Sequence, residues 1–465
     1  MTLKTTFAIT IGTASAAMLA GQFSATAVPG DGGTSDTMAG PDVIVGAIPD
    51  VSKYGANTVG GVSFMAYAFG TTSCNVGTEV LRWWDGTSFH PVIPQNAYRI
   101  MGGRIEQIGV GWMKHGFCAL QENLCGTCQP GGAGCGSPQS TLGVGCSDPY
   151  TSGLNGQQSG LGPRYEVNVS TGYFPPTGST TWPSIPSGQG SIARRVQIRA
   201  DDLNPSLNTG AMYLAEAMYV HPDDAAANND NNNASYRAFT VGTLTSGAYT
   251  LTLSGATIQQ KPAIYHWGVV VPSVYYSVAD APDGRFVVAS NVTSLGNGSY
   301  RYEYAIFNFN SDSAGASFSI PVPTGVTVTN AGFRDVRYHS GEPFDGTDWT
   351  VSVSGGAVRW ACTQTFAQNP NANALRWATM YNFWFEADGP AVTGNGLLGL
   401  FKTGGAVTAL TKVPRRTGDL NGDGSVNGID LSVLLALWGG SGEGDINRDG
   451  NTNGLDLAML LAVWG

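Results

Sequence analysis

Asp419-Leu420-Asn421-Gly422-Asp423-Gly424-Ser425-Val426-Asn427-Gly428-Ile429-Asp430 is matched, 26 residues on, by Asp445-Ile446-Asn447-Arg448-Asp449-Gly450-Asn451-Thr452-Asn453-Gly454-Leu455-Asp456. Both stretches carry oxygen-bearing side chains at positions 1, 3, 5, 9 and 12. In the first these are Asp419, Asn421, Asp423, Asn427 and Asp430, with the Ser425 carbonyl at position 7. In the second they are Asp445, Asn447, Asp449, Asn453 and Asp456, with the Asn451 carbonyl. Gly424 and Gly450 hold position 6, where the chain must turn so sharply that a Cβ would obstruct it. A hard cation of calcium's size takes about six to eight oxygens, and a tight loop presents them from alternate positions. The duplication therefore predicts about two calcium ions per chain. Three carboxylates in each loop repel one another without a cation, so folding of this segment is expected to depend on the metal.

Behind each loop the apolar residues recur near the helical period. Ile429, Val433, Leu434, Leu437 and Trp438 follow the first loop, and Leu455, Met459, Leu460, Val463 and Trp464 the second. Two such helices are expected to bury these faces against each other. No helix is expected before Asp419, because Pro414 and Gly418 interrupt the approach. Over about 418–465 the arrangement resembles the dockerin module. That resemblance implies attachment or assembly through a cohesin-like or cell-surface protein partner, and its usual cargo would be a polysaccharide-degrading glycoside hydrolase. One departure bears on recognition. Many dockerins of cellulose-degrading complexes carry hydroxyl residues at loop positions 10 and 11 and a basic residue further on. Here those places hold Gly428-Ile429 and Gly454-Leu455, then Leu435-Ala436 and Leu461-Ala462. Calcium binding transfers from the family, and the usual cohesin contact does not.

At the other end, Lys4, the apolar stretch 7–19 and Ala25-Thr26-Ala27 have the order of a secretory signal with its cleavage site. The stretch is too short to span a bilayer, no other segment qualifies, and the mature chain is expected to be extracellular or at the cell surface. Of the formal charge of −10, the terminal module carries −6, from seven acids against Arg448. The rest is nearly balanced and has no basic stripe, which argues against a nucleic-acid partner. Only 12% of residues are charged, 10% are aromatic and 65 are Gly, a mix that suits a β-rich protein with long loops. Seven cysteines in an exported chain read as disulfides, with one thiol left over: Cys74, Cys118, Cys125, Cys128, Cys135, Cys146 and Cys362.

The expected fold class is mainly β, as one large or two smaller β-sandwich-like domains, followed by a small α module of two calcium loop-helix repeats. The expected boundaries are a signal peptide at 1–27, a flexible leader at 28–40 and a β-rich Cys-containing domain at 41–270. A β-sandwich-like domain at 271–409, a linker at 410–417 and the calcium module at 418–465 complete the chain. Short β-branched runs at 61–69, 79–84, 104–113 and 191–198 predict strands, and 248–253 alternates as a half-buried strand should. Residues 210–219 predict a helix and 223–233 a loop. Cleaner strand patterns follow at 285–289, 300–309, 317–320, 325–329, 349–353 and 357–360. Residues 118–162, Gly-rich and Cys-tied, predict a long excursion of the kind that carries function on a rigid scaffold. The middle, about 42–402, also resembles the body of secreted, dockerin-bearing bacterial proteins through Thr72-Ser73-Cys74-Asn75, Trp112-Met113-Lys114-His115-Gly116-Phe117, Gly145-Cys146-Ser147-Asp148-Pro149-Tyr150 and His339-Ser340-Gly341-Glu342-Pro343. That likeness implies export and no particular activity.

Two constellations in the body are candidates for chemistry. His90 and His115 with nearby thiols such as Cys118 would suit copper, giving a secreted redox protein, although no compact ligand motif surrounds them. Asp335, Glu342, Asp345 and Asp348 lie within fifteen residues of Tyr338, Phe344 and Trp349. Paired carboxylates beside aromatic platforms would suit glycoside hydrolysis or glycan binding. Ser147 lacks the nucleophile-elbow glycines of a serine hydrolase. Without a hydrolase motif, the reading favours a secreted calcium-binding protein whose body binds a ligand such as glycan without turning it over.

Overall fold

Strand Thr379–Ala387 shows how the chain is layered. Successive side chains of a strand point to opposite faces. Tyr381, Phe383 and Phe385 enter one apolar cluster with Phe318, Trp360 and Leu398 of a facing sheet. Met380 enters another with Tyr98, Ile105 and Leu214, and Asn382 Nδ2 donates to the Ile105 carbonyl at 2.7 Å. One sheet is thus packed on both faces.

The computed structural model describes residues 39–465 except Asn297 and Arg448; the expected signal peptide and nearly all of the leader lie outside the described residues. The chain is mainly β with a small helical C-terminal module, as its composition and patterns predict. An eight-stranded antiparallel sheet comes first, with Gln95–Met101 and Arg104–Val110 side by side at its centre and Met212–Met218 next to the former. A five-stranded sheet containing Gly284–Ser294, Tyr300–Asn308 and Thr379–Ala387 packs on it. A second five-stranded sheet, with Gly315–Pro321 central and Ala406–Pro414 at its edge, closes the sandwich from the far side. Register places Tyr302 opposite Phe385 and Tyr304 opposite Phe383, and the Tyr302 and Phe385 rings stack at 4.7 Å. Each buried ring contributes about 1.5–3 kcal/mol over its exposed state.

The opposite face of the eight-stranded sheet is covered by a small sheet of Val43–Ala47, Thr71–Asn75 and Ser147–Tyr150. Cys74–Cys125 ties the Cys-rich excursion to that sheet, and Cys118–Cys135 and Cys128–Cys146 brace the excursion internally. Cys362 remains a thiol, half-buried.

Several expectations need correction. Residues 210–219 hold strand Met212–Met218, not a helix. Tyr213, Ala215 and Ala217 face one cluster while Leu214 and Met218 face another, so burial on both sides erases the alternation that marks a strand. The expected loop at 223–233 begins inside the short helix Pro222–Ala226, capped by His221 Nδ1. The expected linker is largely strand, since Ala406–Pro414 pairs along Ala391–Leu400. Excursion 118–162 includes strands Ser140–Leu142 and Ser147–Tyr150, which pair with Leu81–Trp83 and Thr71–Asn75.

Candidate functional site

The terminal module consists of two loops and two helices, Gly428–Ala436 and Gly454–Ala462, built alike. Asn427 and Asn453 cap the helices, each accepting from the N–H two residues on at 2.8 Å. Asp430 and Asp456, at loop position 12, reach back to the cap N–H at 2.8 Å, completing a capping box in each repeat. Their second oxygens close the loops. Asp430 Oδ1 accepts from Leu420 N at 2.7 Å, and Asp456 Oδ1 from Asn447 N at 2.9 Å. At position 1, Asp419 accepts from Gly422, Asp423 and Gly424 N–H, and Asp445 from Asp449 and Gly450 N–H. Gly424 and Gly450 take φ of +92° and +94°, the left-handed turn expected at position 6. At position 5, Asp423 and Asp449 are exposed. Amide donation from Asn421 and Asn447 respectively, with backbone N–H groups, holds both carboxyls below the usual range.

This donor set, all oxygen and rich in carboxylate, fits a hard divalent cation. Residues 417–462 match the dockerin type I domain family. Domains of this type bind calcium. No curated protein matches the chain.

The dockerin core is Leu420, Val426, Leu434 and Leu460, with Leu431, Val433, Leu457 and Val463 packed against it. This corrects the expected helix faces in part. Leu434 and Leu460 are buried as the period predicts, but Ile429, Leu437, Trp438, Leu455, Met459 and Trp464 are exposed. Three pairs repeat at the same 26-residue spacing as the loops: Ile429 with Leu455, Leu435 with Leu461, and Trp438 with Trp464. All six side chains are between 46% and 62% exposed. The dockerin leans on the body through Arg415 and Arg416. Arg415 Nη1 donates to Leu420 O, and Arg416 donates to Val463 O and Gly465 O.

In the body, the two histidines do meet. His90 Nδ1 lies 3.1 Å from the Trp84 carbonyl, which only an N–H can face, so His90 Nε2 carries the lone pair. That lone pair accepts from His115 Nδ1 at 3.0 Å, leaving His115 Nε2 as a buried acceptor without a partner. Burial keeps both rings neutral, pushing His90 down to about 4 and His115 to about 3. The copper arrangement is not assembled, because Cys118 is bridged to Cys135. Among the described residues no three His, Cys, Asp or Glu side chains gather at one point.

The four acids of 335–348 occupy separate settings. The Glu342 carboxyl, buried and raised to about 7, accepts from Arg164 N at 2.7 Å. Asp335 is raised by burial to about 6 and is bonded to Asn373. Asp345 folds onto its own turn through Thr347, and Asp348 is exposed. Asp335 lines a groove of about 540 Å³ where the eight-stranded sheet meets the segment after Val328–Arg334. Arg199, Arg334 and Arg337 line the same groove. Sequence reading missed these arginines. Arg199 lies more than 130 positions from the other two, and only the sheet brings them together.

Proposed function

We propose that this chain is an exported calcium-binding protein that its dockerin attaches to a cohesin-like or cell-surface protein, while the β body binds a glycan without cleaving it. The carrying observation is the duplicated apolar face: three exposed pairs set at one spacing beside two like-built loops. The proposed calcium ligands are Asp419, Asn421, Asp423, Asn427 and Asp430 with the Ser425 carbonyl, and Asp445, Asn447, Asp449, Asn453 and Asp456 with the Asn451 carbonyl, for about two ions. Calcium would draw the loop carboxylates together and fix the angle between the helices, and so the spacing of the exposed pairs. Burying two Trp and four aliphatic side chains would supply the centre of an interface. Hydroxyl and basic contacts are replaced here by shape and apolar area. Hydrolysis would require two carboxylates flanking one bond, and Asp335, Glu342, Asp345 and Asp348 sit in separate settings.

The test is binding of the full chain to a panel of cohesin domains by titration calorimetry, with calcium and with chelator. Expected is calcium-dependent binding that Trp438→Ala with Trp464→Ala weakens by about a hundredfold or more, as for paired hot-spot residues. Binding unaffected by that double change would remove the apolar face from the interface. Reducing-sugar release across a polysaccharide panel should show none above background, and sustained release would overturn the non-catalytic reading.

A further inference from the structure

The groove between the sheets holds a charge imbalance. Asp202 and Glu106 are already engaged. Asp202 pairs with Arg99 at 3.0 Å and Arg334 at 3.6 Å, and Glu106 with Arg99 at 2.7 Å and Arg334 at 3.1 Å. Asp335 is turned to Asn373. Arg337 has no carboxylate partner among the described residues. Its guanidinium lies 4.1 Å over the Phe64 ring and donates to Gln197 Oε1 at 3.4 Å. Burial, and then the Arg199 charge beside it, hold Arg337 below its usual range. Among the described residues Arg199 is paired only loosely, with exposed Asp201 at 3.9 Å. Two guanidiniums therefore face one groove without the anion that their forks match.

Around them the lining alternates between apolar and polar groups. Val59, Val62 and Val336 offer hydrophobic wall, and the Gln197 amide offers hydrogen bonds. A cavity at the junction of two packed units, apolar with a few convergent polar groups, is where ligands bind. From the unmatched arginines and the mixed walls, we infer that this groove binds the carboxylate of an acidic saccharide, a uronic-acid residue free or within a polysaccharide. The carboxylate lies between Arg337 and Arg199, and the ring rests against the valine wall. This deepens the glycan reading above, on which it rests.

The experiment uses full-length protein at low ionic strength with four probes: galacturonic acid, polygalacturonate, a neutral β-glucan and inorganic sulfate. Affinity electrophoresis serves for the polymers and calorimetry for the small molecules. Expected is retention by polygalacturonate, weakened at least about tenfold by Arg337→Gln and by Arg199→Gln. Arg337→Lys should lose less, and Arg359→Gln, at an exposed position of strand Ala357–Ala361 elsewhere, nothing. Binding of galacturonic acid alone would place the ligand as a free sugar acid, and binding of the polymer alone as a chain residue; either supports the site. Retention by the β-glucan only would overturn this inference while keeping the body a glycan binder. No binding to any glycan would overturn both. Equal loss in Arg359→Gln, or binding of sulfate only, would reduce the effect to general charge and overturn the site.

Discussion

At the scale of single residues, burial governs the ionisable groups of the body, in two opposite directions. Asp148 is raised to about 7, chiefly by burial, although Leu120 N donates to its Oδ1 at 2.7 Å. Between about pH 4 and 7 the folded chain holds a proton there that the unfolded chain has released. The stability from this group is therefore complete below the ordinary carboxyl pKa and is lost as pH rises through about 7. His90 and His115 act in reverse: folded, they bind protons only near pH 4 and 3. Their contribution is present above about pH 6.5 and is lost as pH falls below it. The two trends offset each other in the whole protein, so a variant isolates them. Asp148→Asn mimics the neutral carboxyl. Its stability relative to the parent should rise between about pH 4 and pH 7 in urea titrations, by about 1.4 kcal/mol for every tenfold by which folding strengthens the carboxyl's hold on its proton. A difference that is flat in pH would refute the raised carboxyl.

Legibility divides at the same scale. The proposed calcium ligands could be named from sequence because each set lies within twelve consecutive residues, in an order that the chemistry dictates. The His90–His115 contact was in reach only as two histidines 25 positions apart, and the disulfide reading of the cysteines did not say which one, Cys118 or another, stays a thiol. The arginine groove was out of reach, since Arg199 and Arg337 meet through sheet packing alone.

At the scale of elements, each dockerin helix carries in its first turn a carboxylate that serves two purposes. Asp430 and Asp456 close the capping boxes, and they are also the proposed position-12 ligands. Replacing either with Ala should cost about 1 kcal/mol from the cap alone. The pair Asp430→Ala with Asp456→Ala should also abolish the rise in thermal stability on adding calcium, read by calorimetry with and without chelator. A parent chain whose melting is indifferent to chelator would sink the calcium dependence. The helices themselves were legible from their apolar period, but which residues face inward was not. Helices this short bury only a narrow stripe, and Leu434 and Leu460 occupy it, leaving the tryptophans outside. Strand Met212–Met218 escapes its sequence pattern for a related reason: buried on both faces, it shows no period of two.

At the scale of the whole molecule, the shared middle sheet couples what sequence suggested as separate domains at 41–270 and 271–409. One apolar cluster includes Tyr98 and Leu214 together with Val287, Phe307 and Trp377. Across the same junction Arg104 holds Glu303 with two hydrogen bonds, at 2.6 and 2.7 Å. Calorimetry should therefore give a single transition for the body, and two resolved body transitions would contradict the coupling. Reduction of the three disulfides should lower that transition, since each bridge closing a loop of this size contributes about 2–4 kcal/mol. The β class was legible from composition and strand spacing. The stacking of three sheets was not, because it depends on which strands have two buried faces.

The edge strand Ala406–Pro414 has a mechanical consequence. If a partner holds the dockerin and the proposed ligand holds the body, tension would enter the sheet at Pro414, the end of the strand nearest the module. That strand is held to its neighbour over nine paired positions, from Ala391 opposite Pro414 to Gly399 opposite Ala406. Just beyond it, Arg415 N donates to Pro390 O at 2.8 Å and Arg415 Nη1 to Leu420 O at 3.0 Å. Arg415 thus acts as a clip across the joint, and the load reaches it before it reaches the first rung of the sheet.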